Sequence, residues 1–371
     1  MIGALYFLVL GLYLLLLLLL SHQWKKIPFP PPVENHPSGL NATLLLPFRN
    51  EKSHLTSLLP HLLHTLPDHL KLIFIDDHSE DGGAGVIHSF IEKNQLGHWL
   101  CIKSKGIGKK AALTRGVEAS SSTLLLTTDA DVRLQTGWFE SMSAPFSHPN
   151  VQLVAGPVIS SGGAGLFARF QQIEWAAIIL LTAISFHRKR PLMCSGANLA
   201  FRRDAFLKVR GYQGNAHLLS GDDEFLMKKI IREYGAASGV YRPYLSALVT
   251  TFPLSGPAAW IRQRSRWASK WNAHKGQTHI MTAAGLALAA LAQVLTFFLF
   301  LISWKWSIGM AVFWIGKFAV ERAVLSRVLS RFQRSAGHTD YLIAGWLFPV
   351  LVLAALPSAI SGKYSWKGRK N

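Results

Sequence analysis

Two aspartates separated by one alanine close the run LLLTTDAD at 124–131. In an extended segment side chains alternate, so Asp129 and Asp131 point to the same side. Paired carboxylates at the mouth of a buried strand suit a hard divalent cation, above all one also held by phosphate oxygens. A single D-x-D is equally the ordinary polar end of a strand. However, the run KLIFIDD at 71–77 has the same form and ends in Asp76 and Asp77. Open α/β sheets bind ligands at the carboxyl ends of their strands. Two acid-tipped strands in one domain therefore point to a nucleotide-and-metal site.

Other segments carry matching chemistry. PFRNE at 47–51 follows an apolar run and opens a helix. DDHSEDGG at 76–83 is turn-rich, and a carboxylate there can accept hydrogen bonds from a base or ribose. GIGKKAALTRG at 106–116 sets glycines, Lys109 and Lys110 at a helix start, where backbone amides and the helix dipole favour an anion. Alone, that segment reads equally well as a solvated basic helix end. Farther on come CSGANLAFRR at 194–203, SGDDEFL at 220–226 and QRSRW at 263–267. Cys101 and Cys194 are the only cysteines, which excludes a disulfide framework and a metal knuckle.

The elements that must position these residues alternate. Strands are expected at 42–46, 71–75, 99–103 and 124–128, with a further one at 151–159. Helical patterns at 53–66, 85–94 and 109–119 lie between the first four. Apolar strands alternating with helices predict βαβ units and a largely parallel α/β sheet.

The chain has 371 residues, 50% hydrophobic, with a formal net charge of +19. Residues 2–20 carry no charge, are dominated by leucine, and are followed by Trp24, Lys25 and Lys26. They lack a basic n-region and a small-residue cleavage site, so residues 1–24 read as an uncleaved transmembrane anchor. Residues 25–40 form a Pro-rich linker. The two lysines hold the following domain, 41–275, on the cytoplasmic side of a cell inner or plasma membrane. The region 276–371 is apolar again, with spans at 281–302 and 341–360. Residues 306–320 contain Lys317 and are a span, a re-entrant segment or an interfacial helix. The following Arg327, Arg331 and Arg334 are spaced for a basic helix on an anionic membrane surface. Membrane apposition and polyphosphate ligands account for the positive charge, and no nucleic-acid recognition motif is present.

Taken together, PFRNE, FIDDHSEDGG, GKKAALTRG and TTDAD resemble the nucleotide-binding half of a family-two glycosyltransferase with the GT-A fold. The three later motifs resemble the acceptor side of its membrane-bound members, which include cellulose and hyaluronan synthases and ceramide glucosyltransferases. The resemblance covers 41–275 and implies a Rossmann-like sheet domain flanked by transmembrane helices. It implies that Asp77, with Asp76, contacts base and ribose and that Lys109 lies near the nucleotide. Asp129 and Asp131 match the metal-binding D-x-D, with Asp131 the direct ligand of Mg2+ or Mn2+. Asp223 matches the general base of a T-E-D motif. Gly221 and Asp222 stand where Thr and Glu are usual, which leaves Asp222 as the alternative base. Gln263, Arg266 and Trp267 match Q-x-x-R-W, which closes over the donor and lines the acceptor path. Trp260, Trp267 and Trp271 also read as interfacial tryptophans. Asn198 belongs to the acceptor side, binding either sugar or main chain.

The implied reaction is inverting, metal-dependent transfer from a nucleotide sugar to a membrane-associated lipid or a growing polysaccharide. Two rivals stand beside it. A membrane-bound nucleotidyltransferase on a similar sheet would release pyrophosphate instead of a nucleoside diphosphate. A noncatalytic lipid- or nucleotide-binding scaffold would not need Asp131, Asp223 and Arg266 together.

Overall fold

The computed structural model describes residues 2–28, 41–216, 218, 220–269, 277–301, 303–361, 365–366 and 369–370. Most of the expected linker and Trp271 lie outside these. The chain divides into two units. One holds Met1–Ile27, Ser161–Leu180 and Pro253–Asn371, and the other Pro28–Ser160 and Leu181–Phe252. The α/β unit is thus smaller than the 41–275 read from the sequence, because a helix in its middle and all residues from Pro253 group with the terminal helices.

A long helix, α1 (Ile2–Lys26), opens the chain. In the α/β unit, β1 (Ala42–Phe48), β2 (Lys71–Asp76), β3 (Trp99–Lys103) and β4 (Leu124–Thr127) pair in parallel in the order β3-β2-β1-β4. Between them come α2 (Lys52–Thr65), α3 (Gly83–Lys93) and α4 (Lys109–Ala119). β1 is buried along its whole length, as expected of a strand covered on both faces in a parallel sheet. Phe48 pairs with Asp76 and Asp76 with Lys103, so these strand ends are level. Loops 49–51, 77–82, 104–108 and 128–131 therefore leave from one edge. The chain builds outward from β1 to β3, then crosses back to set β4 on the far side of β1. That reversal makes the β1/β4 edge the switch point at which such sheets bind ligands.

The remaining strands are β5 (Val132–Leu134), β6 (Leu153–Ala155), β7 (Val158–Ser160), β8 (Leu199–Arg202), β9 (Gly239–Tyr241) and β10 (Val249–Thr251). They extend the sheet to β3-β2-β1-β4-β8-β6-β9 and form a small second sheet, β5-β10-β7. β8 runs antiparallel to β4, with Leu199 opposite Thr127. The approach to β8, residues 194–198, consequently reaches the same edge as the end of β4. The single strand expected at 151–159 is two, because Pro157 cannot donate to a ladder and Gly156 gives its N–H to the Asn198 carbonyl at 2.9 Å. Four further helices follow β5: α5 (Trp138–Ser143), α6 (Leu166–His187), α7 (Arg203–Lys208) and α8 (Asp222–Tyr234). Leu113 and Val117 of α4 and Leu226 and Ile230 of α8 are buried in the same core cluster as Leu45 and Leu125. Burying each such side chain stabilises by about 1.5–3 kcal/mol relative to exposure.

The helical unit contains α1, the first part of α6, α9 (Pro257–Ser269), α10 (Gln277–Leu295), α11 (Trp304–Arg331) and α12 (His338–Ser361). The expected 306–320 segment and the basic helix after it are one helix, α11. The expected span at 281–302 is α10 followed by a 3-10 turn at Thr296–Leu301. α11 lies alongside α1 in parallel register: Phe7 stacks on Trp306, Tyr13 meets Glu321, Arg327 donates to Ser21, and Arg331 lies over Trp24. α12 returns along α11, with Trp346 against Trp314 and the Gly345 carbonyl on the Lys317 ammonium. Phe7–Lys26, Leu166–His187 and His338–Ile360 are long and apolar enough to cross a membrane.

Candidate active site

The sheet edge gathers most of the acidic residues singled out in the sequence. Arg49, leaving β1, donates to the carbonyls of Asp77 and His78 at 2.9 and 3.1 Å, which binds the first loop to the second. Asp76 accepts the Ser79 N–H at 2.8 Å and stays partly exposed. Asp77 is only 2% exposed, and its Oδ1 accepts the N–H of Gly108 at 2.9 Å. Gly108 has φ +96°, a conformation that favours glycine, and immediately precedes α4. Asp77 thus anchors the turn that launches Lys109.

Lys109 is the centre of the arrangement. Its ammonium lies 2.7 Å from Asp129 Oδ1 and 3.1 Å from Asp222 Oδ2. Burial pushes its pKa down, but Asp129 and Asp222 push it up further, with Asp223 adding to them, so the net shift is upward. The adjacent Lys110 is spent differently: it is buried and donates to the carbonyls of Asn215 and Leu218. Only one of the two lysines at this helix start faces the acids. Gly196 allows their approach, since a Cβ there would lie 2.5 Å from Asp222 Oδ2 and 3.0 Å from the Lys109 ammonium.

Asp223 sits one residue on, in the first turn of α8. Its Oδ2 accepts the Gly196 N–H at 3.1 Å and its Oδ1 the Glu224 N–H at 2.7 Å. The loop beneath is held by Thr127 and Thr128, whose hydroxyls donate to the carbonyls of Gly196 and Ala197 at 2.8 and 2.9 Å. Nearby Tyr212 has its pKa raised by burial and then by Asp222 and Asp223, so its phenol stays neutral. Asp131 is partly exposed beyond β4, and its carbonyl accepts the Thr251 hydroxyl at 3.3 Å. Asn198 lies inside the α/β unit. It is fully buried, its Oδ1 accepts the Trp138 indole N–H, and its Nδ2 donates to Pro157 and Ala247. Of the two roles open to it, the structure shows main-chain binding: Asn198 is a brace inside the α/β unit.

Gln263, Arg266 and Trp267 lie on α9, in the helical unit. There Arg264 forms a fork with Glu174 of α6, Nε to Oε1 at 2.7 Å and Nη2 to Oε2 at 2.6 Å. The Trp260 indole also donates to Glu174, at 2.7 Å. Trp260 is fully buried, so it is not an exposed interfacial tryptophan.

Residues 43–210 match the family described as Glycosyl transferase family 2. That stretch, a little under half of the chain, is similar to family 2 glycosyltransferases. A pre-mycofactocin glycosyltransferase of Mycobacterium tuberculosis is 29% identical over 223 residues, 56% of this chain and 42% of that protein. The probable glycosyltransferase YdaM of Bacillus subtilis is 24% identical over 253 residues, 63% of this chain and 56% of that protein. The chain therefore spans about half the length of these relatives. Among solved structures, a mannosyltransferase from Pyrobaculum calidifontis, in complex with GDP-Man and Mn2+, superposes with a TM-score of 0.58. It is 16% identical and covers 94% of this chain and 96% of its own, a likeness of fold. The α/β GT-A fold with a mostly parallel sheet is the one expected from the sequence.

The matched stretch includes Asp76, Asp77, Lys109, Asp129 and Asp131 and ends before Asp222 and Asp223. Thr127 and Thr128 were passed over in the sequence as part of an apolar strand end. Arg264 and Glu174 were missed as well: one occupies an unspecified position of Q-x-x-R-W, and the other is a lone acid in an apolar helix.

Proposed function

We propose that this chain is a membrane-embedded, inverting glycosyltransferase. It moves a sugar from a nucleoside diphosphate to a hydroxyl of a membrane-associated acceptor, either a lipid or a growing polysaccharide. The observation that carries the reading is the double ion pair of Lys109, which ties the D-x-D after β4 to the first turn of α8. One cation thereby fixes the diphosphate-side acids against the acid pair from which the base is drawn.

The chemistry follows from the residues. Asp223 takes the proton from the acceptor hydroxyl as that oxygen attacks the anomeric carbon. The bond from that carbon to the diphosphate breaks on the opposite face, its electrons leave with the nucleotide, and the configuration inverts. The two N–H groups on Asp223 fix its orientation. Base catalysis of this kind contributes about a hundredfold to ten-thousandfold. Arg266 has the planar fork suited to diphosphate oxygens, and Trp267 offers an aromatic face to a sugar or acceptor. Asp76 contacts the nucleoside, and Asp77 acts through the Gly108 turn it anchors.

Among the described residues no group of three or more His, Cys, Asp or Glu is placed to hold a metal. Asp129 and Asp131 still fit a hard cation that keeps one or two carboxylates and completes its shell with phosphate oxygens and water. When bound, Mg2+ or Mn2+ would neutralise charge developing on the leaving diphosphate. The P. calidifontis enzyme binds Mn2+ together with GDP-Man.

Four membrane crossings complete the reading. α1 runs inward to Lys25 and Lys26, α11 lies parallel to it, and α10 and α12 run the opposite way. The apolar stretch of α6 is 67% buried, against 17% for α1 and 28% for α12, so α6 is read as an internal helix. The catalytic domain is then cytoplasmic.

Paired substitutions test the assignment of the base. Asp223→Asn should lower kcat by about a hundredfold to ten-thousandfold while the affinity for UDP or GDP changes little. A dead Asp222→Asn beside an active Asp223→Asn would reverse the assignment.

A further inference from the structure

We infer that Glu174 and Arg264 are positioning residues that set the hydrogen-bonding polarity of Gln263 and support the ring of Trp267. The inference rests on the glycosyltransferase reading and deepens it.

Arg264 is the less obvious arginine of the QRSRW segment, and the structure shows where its charge goes. Glu174 accepts both Nε and Nη2, the bidentate geometry that makes arginine–carboxylate pairs directional as well as strong. The two side chains are 12% and 5% exposed. A buried pair of this kind is retained only when its remaining polar atoms are satisfied. Here they are: Glu174 Oε2 also accepts the Trp260 indole N–H, and Arg264 Nη1 donates to Gln263 Oε1. Above the guanidinium stands Trp267, its ring centre 4.1 Å from Cζ, with Trp260 at 5.2 Å and Trp175 at 5.8 Å. Trp175 also meets Trp267 edge-on at 5.7 Å.

Two consequences follow. The charge of Arg264 is balanced by Glu174, so Arg264 is not a diphosphate ligand, and Arg266 remains the arginine for that role. The carbonyl end of the Gln263 amide is directed to Arg264, so the amide offers its NH2 end to substrate. Gln263 thus recognises an oxygen acceptor, supplied by the donor's diphosphate or by a hydroxyl of the sugar acceptor. A planar cation under one face of Trp267 also fixes the tilt of the ring, leaving the other face to stack on a sugar.

The test uses the full chain in detergent–lipid micelles, with wild-type transfer established first from a panel of nucleotide sugars and lipid extract. Absence of any wild-type transfer would end the parent reading and is a separate outcome. Gln263→Glu preserves shape and keeps one oxygen for Arg264, but offers an acceptor where a donor is required. It should lower kcat/KM at least tenfold without lowering the melting temperature. A rise in donor KM or weaker UDP binding would assign the contact to the diphosphate, and a rise in acceptor KM alone would assign it to the acceptor. Arg264→Lys keeps the charge but loses the fork, so it should fail to rescue transfer where Arg264→Met has lost it. The idea is overturned if Gln263→Glu transfers within threefold of wild type. It is also overturned if Arg264→Lys restores full activity, because charge alone would then suffice.

Discussion

Lys109 touches Asp129 and Asp222 at once, so removing it leaves two part-buried carboxylates facing each other without a counter-charge. Breaking a buried pair costs about 3–5 kcal/mol. Asp129 is 35% exposed, and water will screen part of that loss, so Lys109→Met should cost about 1–3 kcal/mol and abolish transfer. The pKa of Lys109 is raised in the fold, so its contribution is complete below the ordinary lysine value and is lost only as pH rises through the elevated one. The stability gap between wild type and Lys109→Met should therefore stay constant from roughly pH 6 to 9. A gap that closes within that window, measured by thermal melting across the pH series, would contradict the ion-paired lysine. Residue types carried much of this site in the sequence: Asp129, Asp222, Asp223 and Lys109 were all singled out there. Direction was not legible. Nothing in CSGANLAFRR reveals that Asn198 turns inward, and nothing in GIGKKAALTRG reveals that Lys110 turns away while Lys109 faces the acids.

Among the elements, β1 to β4 and α2 to α4 were readable because long apolar runs alternate with helical periods. β5, β9 and β10 have three residues each, too few to show a period of two. Helix α6 is hard to read from the sequence because it is not amphipathic and Arg169, Gln171, Gln172 and Glu174 cluster in its first half, ahead of an uncharged apolar run. α11 was split because Lys317 and the arginines after it break its hydropathy. The structure explains those charges: Lys317 pairs with Glu321, and Tyr13 donates to the same carboxylate from α1. Ionisable residues inside a membrane helix usually face the bundle and pair in this way. The proposed four crossings would place the α11–α12 turn inside and the C-terminus outside. With Cys101 and Cys194 replaced, an impermeant thiol reagent applied to intact cells should label a cysteine at position 365 and not one at 335. Labelling at both positions, or at neither, would contradict the four-crossing arrangement and leave the catalytic reading untouched.

At the scale of the whole molecule, the proposed function assigns the sheet domain and the helical unit different requirements of one reaction. On that proposal the nucleotide sugar is soluble and the lipid or polymer acceptor is held at a membrane, so the chain would serve both phases. The net charge of +19 suits polyphosphate donors and anionic lipid surfaces. Sugar identity leaves no trace at this scale, because it is set by a few contacts inside the pocket. The central claim is sugar transfer with loss of a nucleoside diphosphate, and the most direct measurement is the nucleotide product itself. Purified protein should be incubated with nucleotide sugars, membrane lipid extract and Mn2+ or Mg2+, and the products resolved by mass spectrometry. The account predicts free nucleoside diphosphate in step with a glycosylated lipid or polymer, with both lost on chelation and restored by the metal. Pyrophosphate with a nucleotidylated product, or no turnover of any nucleotide sugar, would contradict it.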